Sequence, residues 1–251
     1  MSDLGDRRRA DGWRDLMRRN ARNWLLQDCV EEGLPERLLM LLGNSDLFDE
    51  QSMESALGPV QRRGVFRAGS ADGTPVAYTT PLFGSPKTAM YLEVAASAGV
   101  RSVIGLGYCG GITAEAAVGA LFVPASALAL DGTTRAYGLG GEAGPDPGLT
   151  DSLLNACRER GVPASSGRIA SIDAIMLESD EMLADLRGRG AAAVDLETGC
   201  LFALAGRLGV SVAAMHIVSD NAAAGDIDER GRHMLGADSQ IGVALGVLAS
   251  V

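Results

Sequence analysis

The sequence has almost no lysine and very little histidine. Lys87 is the only lysine among the 22 basic residues, and the two histidines are His216 and His233. The four cysteines are scattered, with no CxxC pair and no nearby histidine, so we expect reduced, mostly buried thiols and no disulfide framework. Nothing in this inventory predicts a metal site or an organic cofactor.

Targeting and membrane signals are also missing. No segment combines a basic start, an apolar run and a small-residue cleavage site. The apolar runs near residues 100–130 and 210–218 are too short, or too often interrupted by glycine, to span a bilayer. The net charge of −10 argues against nucleic acid or an anionic membrane as the main partner, although local arginines can still hold a small anion. We expect a cytoplasmic protein.

Length and periodicity favour one large α/β domain. A chain of 251 residues can bury a full core in one domain, and we predict a helical extension over residues 1–35 and a single domain over residues 36–251. Apolar runs that end at glycine alternate with stretches of helical spacing. This alternation predicts a mixed central β-sheet flanked by helices, with ligands beyond the carboxyl ends of the strands.

The pattern also predicts the individual elements. The predicted strands cover residues 38–42, 60–67, 75–80, 100–106, 121–130, 167–171, 192–195 and 212–218. The predicted helices cover residues 11–34, 84–98, 149–160, 181–187, 198–208 and 231–248. Two glycine-rich segments, 107–111 and 138–148, are predicted to be loops.

Two acidic motifs lie at predicted strand ends. Residues 194–199 (VDLETG) place two carboxylates at i and i+2 near a helix start, and residues 216–221 (HIVSDN) end an apolar strand on Asp220. A carboxylate that hydrogen-bonds sugar hydroxyls and an acid that protonates a leaving base can together break an N-glycosidic bond. We therefore predict that Glu197 and Asp220 converge on one bound sugar–base linkage. The alternatives are that Asp220 caps a turn and that Glu197 complements a helix dipole.

Four sequence blocks, running from about residue 39 to the C-terminus, carry a family resemblance. They are residues 99–112 (GVRSVIGLGYCGGI), residues 118–123 (VGALFV) followed by Asp131-Gly132, residues 193–198 (AVDLET) and residues 218–221 (VSDN). In order and spacing they resemble the nucleoside phosphorylase superfamily, which includes purine nucleoside and uridine phosphorylases and methylthioadenosine-type nucleosidases. The resemblance implies a nucleoside phosphorylase-like three-layer sandwich. It also implies a nucleoside substrate.

The resemblance assigns roles to several residues. Glu197 matches the glutamate that binds the ribose 2′- and 3′-hydroxyls, and Leu196 stands where a methionine usually lies under the sugar. Asp220 matches the acid that protonates or hydrogen-bonds N7 of a purine, which favours purine-like bases. Residues 171–175 match the segment that reads the base edge, with Ile175 in place of a frequent aromatic residue. The substrate-binding residues implied in this way are Asp195, Leu196, Ser171, Ile175, Tyr108, Cys109, Gly110, Ser219 and Phe83.

The expected phosphate site departs from the family pattern. Leu47 and Gly105 occupy two positions where phosphorolytic members have arginines, and Tyr108 replaces a small hydroxyl residue. Arg63 matches a third arginine, which a neighbouring subunit supplies, and Lys87 could compensate at a helix start. The residues of a possible anion or water site are Gly43, Asp46, Arg63 and Lys87.

These departures favour water over phosphate as the nucleophile, with Asp46 or Asp195 as a base in principle. A phosphorylase with a rearranged phosphate site and a non-catalytic nucleoside-binding protein are the alternatives. The resemblance further implies a homodimer or a hexamer built from dimers, with Arg63 crossing the interface, and a lid arginine at position 230 or 232. His216 is predicted to be a core residue. The exact base and the 5′ substituent stay open.

Overall fold

The structure, a computed structural model, describes residues 33–43, 50–223, 226–227 and 232–251. The predicted N-terminal helix lies almost entirely outside the described residues, and so do Asp46, Leu47 and Arg230. The same holds for the side chains at positions 232 and 233. Within the described part of the chain, no helix has the length and apolar character needed to cross a membrane.

Strands and helices alternate along the described chain. The strands are β1 (Arg37–Leu41), β2 (Gln61–Arg63), β3 (Phe66–Ala71), β4 (Thr74–Thr79), β5 (Ser102–Gly111), β6 (Leu121–Ala129), β7 (Gly141–Ala143), β8 (Ala164–Ser171), β9 (Ala191–Asp195), β10 (Ser211–Asn221) and β11 (Asp226–Ile227). The helices are α1 (Glu50–Leu57), α2 (Ser85–Ser97), α3 (Gly132–Ala136), α4 (Pro147–Glu159), α5 (Asp180–Gly188), α6 (Thr198–Leu208) and α7 (Arg232–Ser250). A 3-10 turn spans Ile175–Leu177.

The described strands form one mixed sheet in the order β11-β10-β6-β8-β9-β5-β1-β4-β3-β2, and β7 pairs with β6. Because β10 also pairs with β5, the strands β5, β10, β6, β8 and β9 close into a ring. Within this ring, β5 pairs parallel to β10 and antiparallel to β9. The remaining strands β1 to β4 extend the sheet outward from β5.

Helices cover both faces of this sheet. The apolar side chains of α2 and α6 belong to one buried cluster, and those of α1, α4 and α7 belong to a second cluster across the sheet. The helix α3 packs between α2 and α6, and α5 packs on β9. The predicted mixed sheet with flanking helices is therefore confirmed.

The helix ends carry the signals that the sequence offers for them. Asp131, Asp146 and Ser179 precede α3, α4 and α5, and each accepts a backbone N–H from the residue three positions later. Such caps satisfy donors that the first helical turn leaves unpaired. Gly209 ends α6 in the left-handed region, with φ of 69°, where glycine has no steric penalty.

Two loop predictions are wrong. Residues 107–111 continue β5 instead of leaving it, because their glycines serve close packing and not a turn. A Cβ atom on Gly111 would lie 2.6 Å from the Ala116 carbonyl oxygen, and one on Gly107 would lie 2.8 Å from that of Leu42. The predicted loop 138–148 contains β7 and the first turn of α4, and α3 was missed before it. Pairing of β7 with β6 is a long-range contact that no local pattern reveals.

Candidate active site

A cavity of about 360 Å³ lies where β5, β9 and β10 end, a volume in the range of small-molecule sites. Most residues predicted for the site line it: Gly43, Phe83, Tyr108, Cys109, Gly110, Ile175, Asp195, Leu196, Glu197, Ser219 and Asp220. Val194 and Glu178 complete the lining. Glu197 and Asp220, which are 23 positions apart in the sequence, therefore face the same space.

A β-bulge in β10 directs Asp220 into the cavity. Val218 pairs with Cys109 and Asp220 pairs with Gly110, so two steps along β10 match one step along β5. Without the bulge, Asp220 would share a face with Val218, which is fully buried in the core. Gly110 lies next to this side chain: a Cβ atom there would be in van der Waals contact with Asp220 Oδ2 at 3.4 Å and would lie 3.3 Å from Val194 Cγ2. The Ser219 hydroxyl donates to Asp220 Oδ1 at 2.6 Å.

The start of α2 holds Glu197 in place. The backbone N–H of Gly84 donates to Glu197 Oε1 at 2.7 Å, and the Ser85 hydroxyl donates to the Leu196 carbonyl at 2.9 Å. Gly84 has φ of 82°, a conformation that other residues adopt only with strain. Glu197 itself is only 3% exposed.

A buried chain of hydrogen bonds fixes Asp195. Its Oδ1 accepts the Ser171 hydroxyl, and its Oδ2 accepts both the backbone N–H and the hydroxyl of Thr198. Since the Thr198 hydroxyl gives its one proton to Asp195, it accepts from Nε2 of His216, 2.8 Å away. The Ser171 hydroxyl accepts in turn from the backbone N–H of Gly199 at 2.7 Å. Asp195 is therefore a held anion at the floor of the cavity.

The electrostatics of this end follow from burial. Burial and the nearby charge of Asp195 raise the pKa of Glu197 to about 8, although the N–H of Gly84 acts in the opposite direction. Burial lowers the pKa of His216, which keeps that fully buried ring neutral. Burial also raises the pKa of the Cys109 thiol well above its usual value. A protonated thiol is a poor nucleophile. Cys109 therefore forms part of the cavity wall and does not act as a nucleophile.

Three predicted site residues do not line the cavity. The Lys87 ammonium donates to the Pro81 carbonyl at 2.8 Å and lies over the Tyr91 ring. Arg63 lines a separate groove beside β2 and β3. Ser171 is fully buried beneath the floor and holds Asp195 instead of meeting a base. Of the proposed anion or water site, only Gly43 reaches the cavity within this described chain.

No lysine, arginine or histidine occurs among the described residues that line the cavity. Position 105, where the family pattern has an arginine, has no room for a side chain. A Cβ atom on Gly105 would lie 2.8 Å from side-chain atoms of both Leu42 and Leu201. Four carboxylates face the cavity instead, from Glu178, Asp195, Glu197 and Asp220. Among the described residues, these acids and the other potential ligands form no group that could hold a metal ion.

The sequence analysis missed three members of this arrangement. Glu178 follows the 3-10 turn and lines the cavity, three positions after the segment that was singled out for base contact. Thr198 was noticed only as a helix start, and His216 only as a core residue. An acid shortly after the base-reading segment was a usable signal for Glu178. The link between Thr198 and His216 joins β10 to α6 and has no signature in local sequence.

The mouth of the cavity is apolar. Phe83 and Ile175 line it and are 60% and 50% exposed, and Met176 and Leu177 on the adjoining 3-10 turn are 94% and 73% exposed. Exposed apolar side chains that cluster around a cavity mark a contact surface more often than an ordinary monomer surface.

The family comparison agrees with this geometry. The model of the family described as "Phosphorylase superfamily" matches residues 33–243, which is most of the chain. The chain belongs to the phosphorylase superfamily. This finding confirms the family predicted from the four sequence blocks, and the cavity described above is the candidate active site of a superfamily member.

Individual relatives are similar over most of their length. A guanosine phosphorylase of Halorubrum lacusprofundi is 29% identical over 201 residues, which cover 78% of this chain and 83% of the relative. A purine nucleoside phosphorylase of the DeoD type from Bacillus cereus is 27% identical over 161 residues, 63% of this chain and 68% of the relative.

Solved structures share the fold. A 5′-methylthioadenosine/S-adenosyl homocysteine nucleosidase from Campylobacter jejuni superposes with a TM-score of 0.73 at 16% identity, covering 86% of this chain and 100% of that one. An AMP nucleosidase from Bacteroides thetaiotaomicron superposes with a TM-score of 0.67 at 20% identity, covering 84% and 87%. At these low sequence identities, the superpositions show that the chain shares the fold of these proteins.

Proposed function

We propose that the protein is an enzyme that cleaves the N-ribosidic bond of a purine-like nucleoside by hydrolysis. One observation carries this proposal: Glu197 and Asp220 face one nucleoside-sized cavity whose described lining contains acids and no basic residue. The names of the relatives support the bond type, because they are phosphorylases of purine nucleosides and nucleosidases. The two phosphorylase names indicate phosphate as the nucleophile, and the two nucleosidase names indicate water.

The Asp195–Glu197 end suits a sugar. One carboxyl oxygen of Glu197 accepts the N–H of Gly84, and the carboxyl group lines the cavity, where it can bind the ribose hydroxyls. The bond-breaking transition state places positive charge on the ribose ring, and a fixed anion such as Asp195 stabilises that charge without rearranging. Leu196 lies in the wall between these acids and supplies an apolar surface for the sugar.

The Asp220 end suits the leaving base. A purine that departs as a neutral base needs a proton, and a carboxyl group within reach of N7 can supply it. Asp220 is half-buried, lines the cavity and is oriented by Ser219, so it is available to a ligand. We assign Asp220 as the general acid and Glu197 as the ribose-binding carboxyl group.

The charges in the cavity support water as the nucleophile. Two like unit charges 4 Å apart repel each other by roughly 4 kcal/mol at an effective dielectric constant of about 20. Phosphate would meet such repulsion from Asp195, with no described lining residue of opposite charge to offset it. Neutral water avoids this cost.

Phosphorolysis is the second candidate. The phosphorylase names of the curated relatives favour it. A neighbouring subunit could also bring Arg63 to the phosphate, as the family resemblance implies. The homo-oligomer and the cytoplasmic location remain predictions, and the exposed apolar side chains at the mouth of the cavity are consistent with a subunit contact.

One assay separates the candidates. Purified protein is incubated with inosine, guanosine and adenosine in phosphate-free buffer and in buffer with phosphate, and free base, ribose and ribose 1-phosphate are resolved by chromatography. Equal release of base in both buffers, with ribose as the sugar product, is the expected result. Release that requires phosphate and yields ribose 1-phosphate would overturn hydrolysis in favour of phosphorolysis. If no base is released in either buffer, both enzymatic proposals fail.

A further inference from the structure

His216 is a buried titratable side chain to which the proposed reaction assigns no role. It lies on β10, four residues before Asp220, within the apolar run of residues 212–218, and it is fully buried. A valine or isoleucine at this position would fill the core without burying polar atoms. The imidazole ring therefore needs an explanation other than packing.

The two ring nitrogens of His216 have different surroundings. Nε2 lies 2.8 Å from the Thr198 hydroxyl and 4.0 Å from Asp195 Oδ2. Nδ1 has no hydrogen-bond partner among the described residues, and it lies against Gly107, where a Cβ atom would be 3.3 Å away. A buried polar atom without a partner is unfavourable and uncommon in native proteins. This cost points to Nε2 as the atom for which the ring is present.

Asp195 is held by two hydroxyl groups that are arranged alike. Ser171 donates its hydroxyl proton to Oδ1 and accepts the backbone N–H of Gly199 at 2.7 Å. Thr198 donates its hydroxyl proton to Oδ2 and accepts Nε2–H of His216. A hydroxyl that accepts a hydrogen bond becomes a stronger donor, because neighbouring hydrogen bonds polarise one another. His216 is therefore the counterpart of the Gly199 N–H.

These two N–H donors differ in one respect. The backbone N–H of Gly199 can only donate, whereas a neutral imidazole carries its proton on either nitrogen. Burial lowers the pKa of His216, so the ring is neutral. With the proton on Nδ1, Nε2 would compete with Asp195 for the hydroxyl proton of Thr198. With the proton on Nε2, Asp195 keeps the N–H and O–H of Thr198 and the O–H of Ser171.

We propose that His216 is a positioning residue, which donates Nε2–H to Thr198 and so keeps Asp195 in place as an anion beneath the ribosyl group. This inference rests on the proposed function, in which the fixed charge of Asp195 stabilises positive charge on the ribose ring. The effect falls on the rate of bond breaking more than on nucleoside binding, since that charge develops only in the transition state. His216 does not line the cavity and acts through Thr198.

His216 also has a simpler interpretation, as a core residue with one hydrogen bond and no part in catalysis. In that case any loss of activity on substitution follows the loss of stability. The position of the ring proton then has no effect on Asp195. A positioning role predicts instead that activity depends on a donor at the place of Nε2, whatever the melting temperature.

The main test compares His216→Gln with His216→Asn in the cleavage of inosine, guanosine and adenosine. The amide nitrogen of glutamine can occupy the place of Nε2, whereas that of the shorter asparagine reaches only the place of Nδ1. Both variants bury one amide, so each is the control of the other. A donor directly on the transition state is worth roughly 10²–10³ in kcat, and a group one hydrogen bond further out is worth less.

For His216→Asn we therefore expect kcat to fall by about tenfold, whereas His216→Gln stays within about threefold of the native enzyme. KM should change little in both variants, because the lost contact acts on the transition state. Equal kcat in the two variants would overturn the proposal. Losses of kcat that follow the melting temperatures would overturn it as well.

A second comparison tests whether His216 acts through Thr198. His216→Leu is measured alone and in combination with Thr198→Val. The leucine substitution should lower kcat by about tenfold in the native background and by less than about twofold in the valine variant, which already lacks the hydroxyl. Additive losses would mean that His216 acts by another route, which contradicts the proposal.

The position of the ring proton can be measured on the folded protein without any change at position 216. His216 and His233 are the only histidines in the sequence, so isotope-labelled histidine in His233→Gln leaves one ring to observe by nitrogen NMR. The expected spectrum has the proton on Nε2 at about pH 7. A proton on Nδ1 would refute the proposal, even if the variants at position 216 do not fold.

A binding measurement separates failure of this inference from failure of the proposed function. The probe is an iminoribitol, a cyclic amine whose positive charge lies where the ribosyl transition state carries it. Calorimetry should show binding to the native protein and to His216→Gln, and binding about tenfold weaker to His216→Asn. Cleavage or binding that is the same in all three proteins refutes the role of His216 alone. If the native protein neither cleaves a nucleoside nor binds the probe, the proposed function fails, and this inference fails with it.

Discussion

The two ends of the cavity use the same chemical group in different environments. At one end, Asp195 and Glu197 are 7% and 3% exposed and receive donors from Ser171, Thr198 and Gly84. At the other end, Asp220 and Glu178 are half-buried, and Ser219 donates to Asp220 Oδ1. The buried pair is organised before any ligand binds. The open pair keeps its oxygens available to the ligand.

This difference matches the tasks that we assign to the two ends. The ribosyl group is the constant part of the substrate and the site of charge development, so a rigid, pre-oriented environment is useful there. The base varies between substrates and must also receive a proton, which requires carboxyl oxygens that protein donors do not already occupy. Four predictions test whether the ends really differ in this way.

The largest effect is expected from Asp220→Asn, which removes the proton donor at the open end. Turnover of inosine should fall by roughly 10²–10⁴, the range that general acids contribute. A riboside whose leaving group departs without protonation, such as nitrophenyl riboside, should lose much less. The control is Asp151→Asn on the exposed side of α4. If both substrates slow equally, Asp220 is not the acid.

Glu197→Gln should follow, with kcat/KM lower by roughly 10²–10³, the range seen when one pre-organised polar contact to a transition state is lost. The ribose hydroxyls provide the cross-check. A 3′-deoxynucleoside should be a poor substrate for the native enzyme, yet the substitution should cost little further activity on it, because the contact is already missing. Fully additive losses would place Glu197 away from that hydroxyl.

A smaller effect is expected from Thr198→Val, which keeps the shape of the side chain and removes the hydroxyl between Asp195 and His216. Leaving these buried groups without a partner should destabilise the protein by about 1–3 kcal/mol, measured by urea unfolding. Thr198→Ser restores the hydroxyl and should recover most of that loss. If the valine variant is as stable as the native protein, the buried chain of hydrogen bonds does not stabilise this end.

The smallest effect concerns pH. The pKa of Glu197 rises from 4.5 to about 8 on folding, so between these values the folded protein binds this proton more tightly than the unfolded chain does. That contribution to stability is complete below about pH 4.5 and is lost as pH rises through about 8. Glu197→Gln removes the group, so its stability relative to the native protein should increase by about 1–2 kcal/mol between pH 6.5 and 9.

Measurements over this interval leave His216 neutral, because burial lowers its pKa. Asp195, Asp220 and Glu178 are the other acids that face the cavity, and they are unchanged in the variant. Parallel stability curves for the two proteins would mean that Glu197 titrates near its normal value. The buried pair would then resemble the open pair more than the structure indicates.

Much of this protein could be predicted from its sequence. Hydrophobic periodicity identified most helices and strands, since burial of one face imposes a repeat of two or 3.6 residues on each element. Family blocks located Glu197 and Asp220, and the glycines around position 107 marked a region of close approach. Their role was misjudged, because a glycine that permits packing and a glycine that permits a turn look identical in one dimension.

Only the tertiary structure decided what the motifs face. The bulge at Ser219 turns Asp220 out of the core, and it exists because β10 pairs with β5, far away in the sequence. Lys87 has the charge for an anion site, but its ammonium group donates a hydrogen bond to the Pro81 carbonyl. Glu178 had no motif at all, and only the fold brings it to the cavity that Asp220 also lines. Local sequence sets which groups are present, whereas strand pairing and burial set their neighbours, and neighbours determine charge and reactivity.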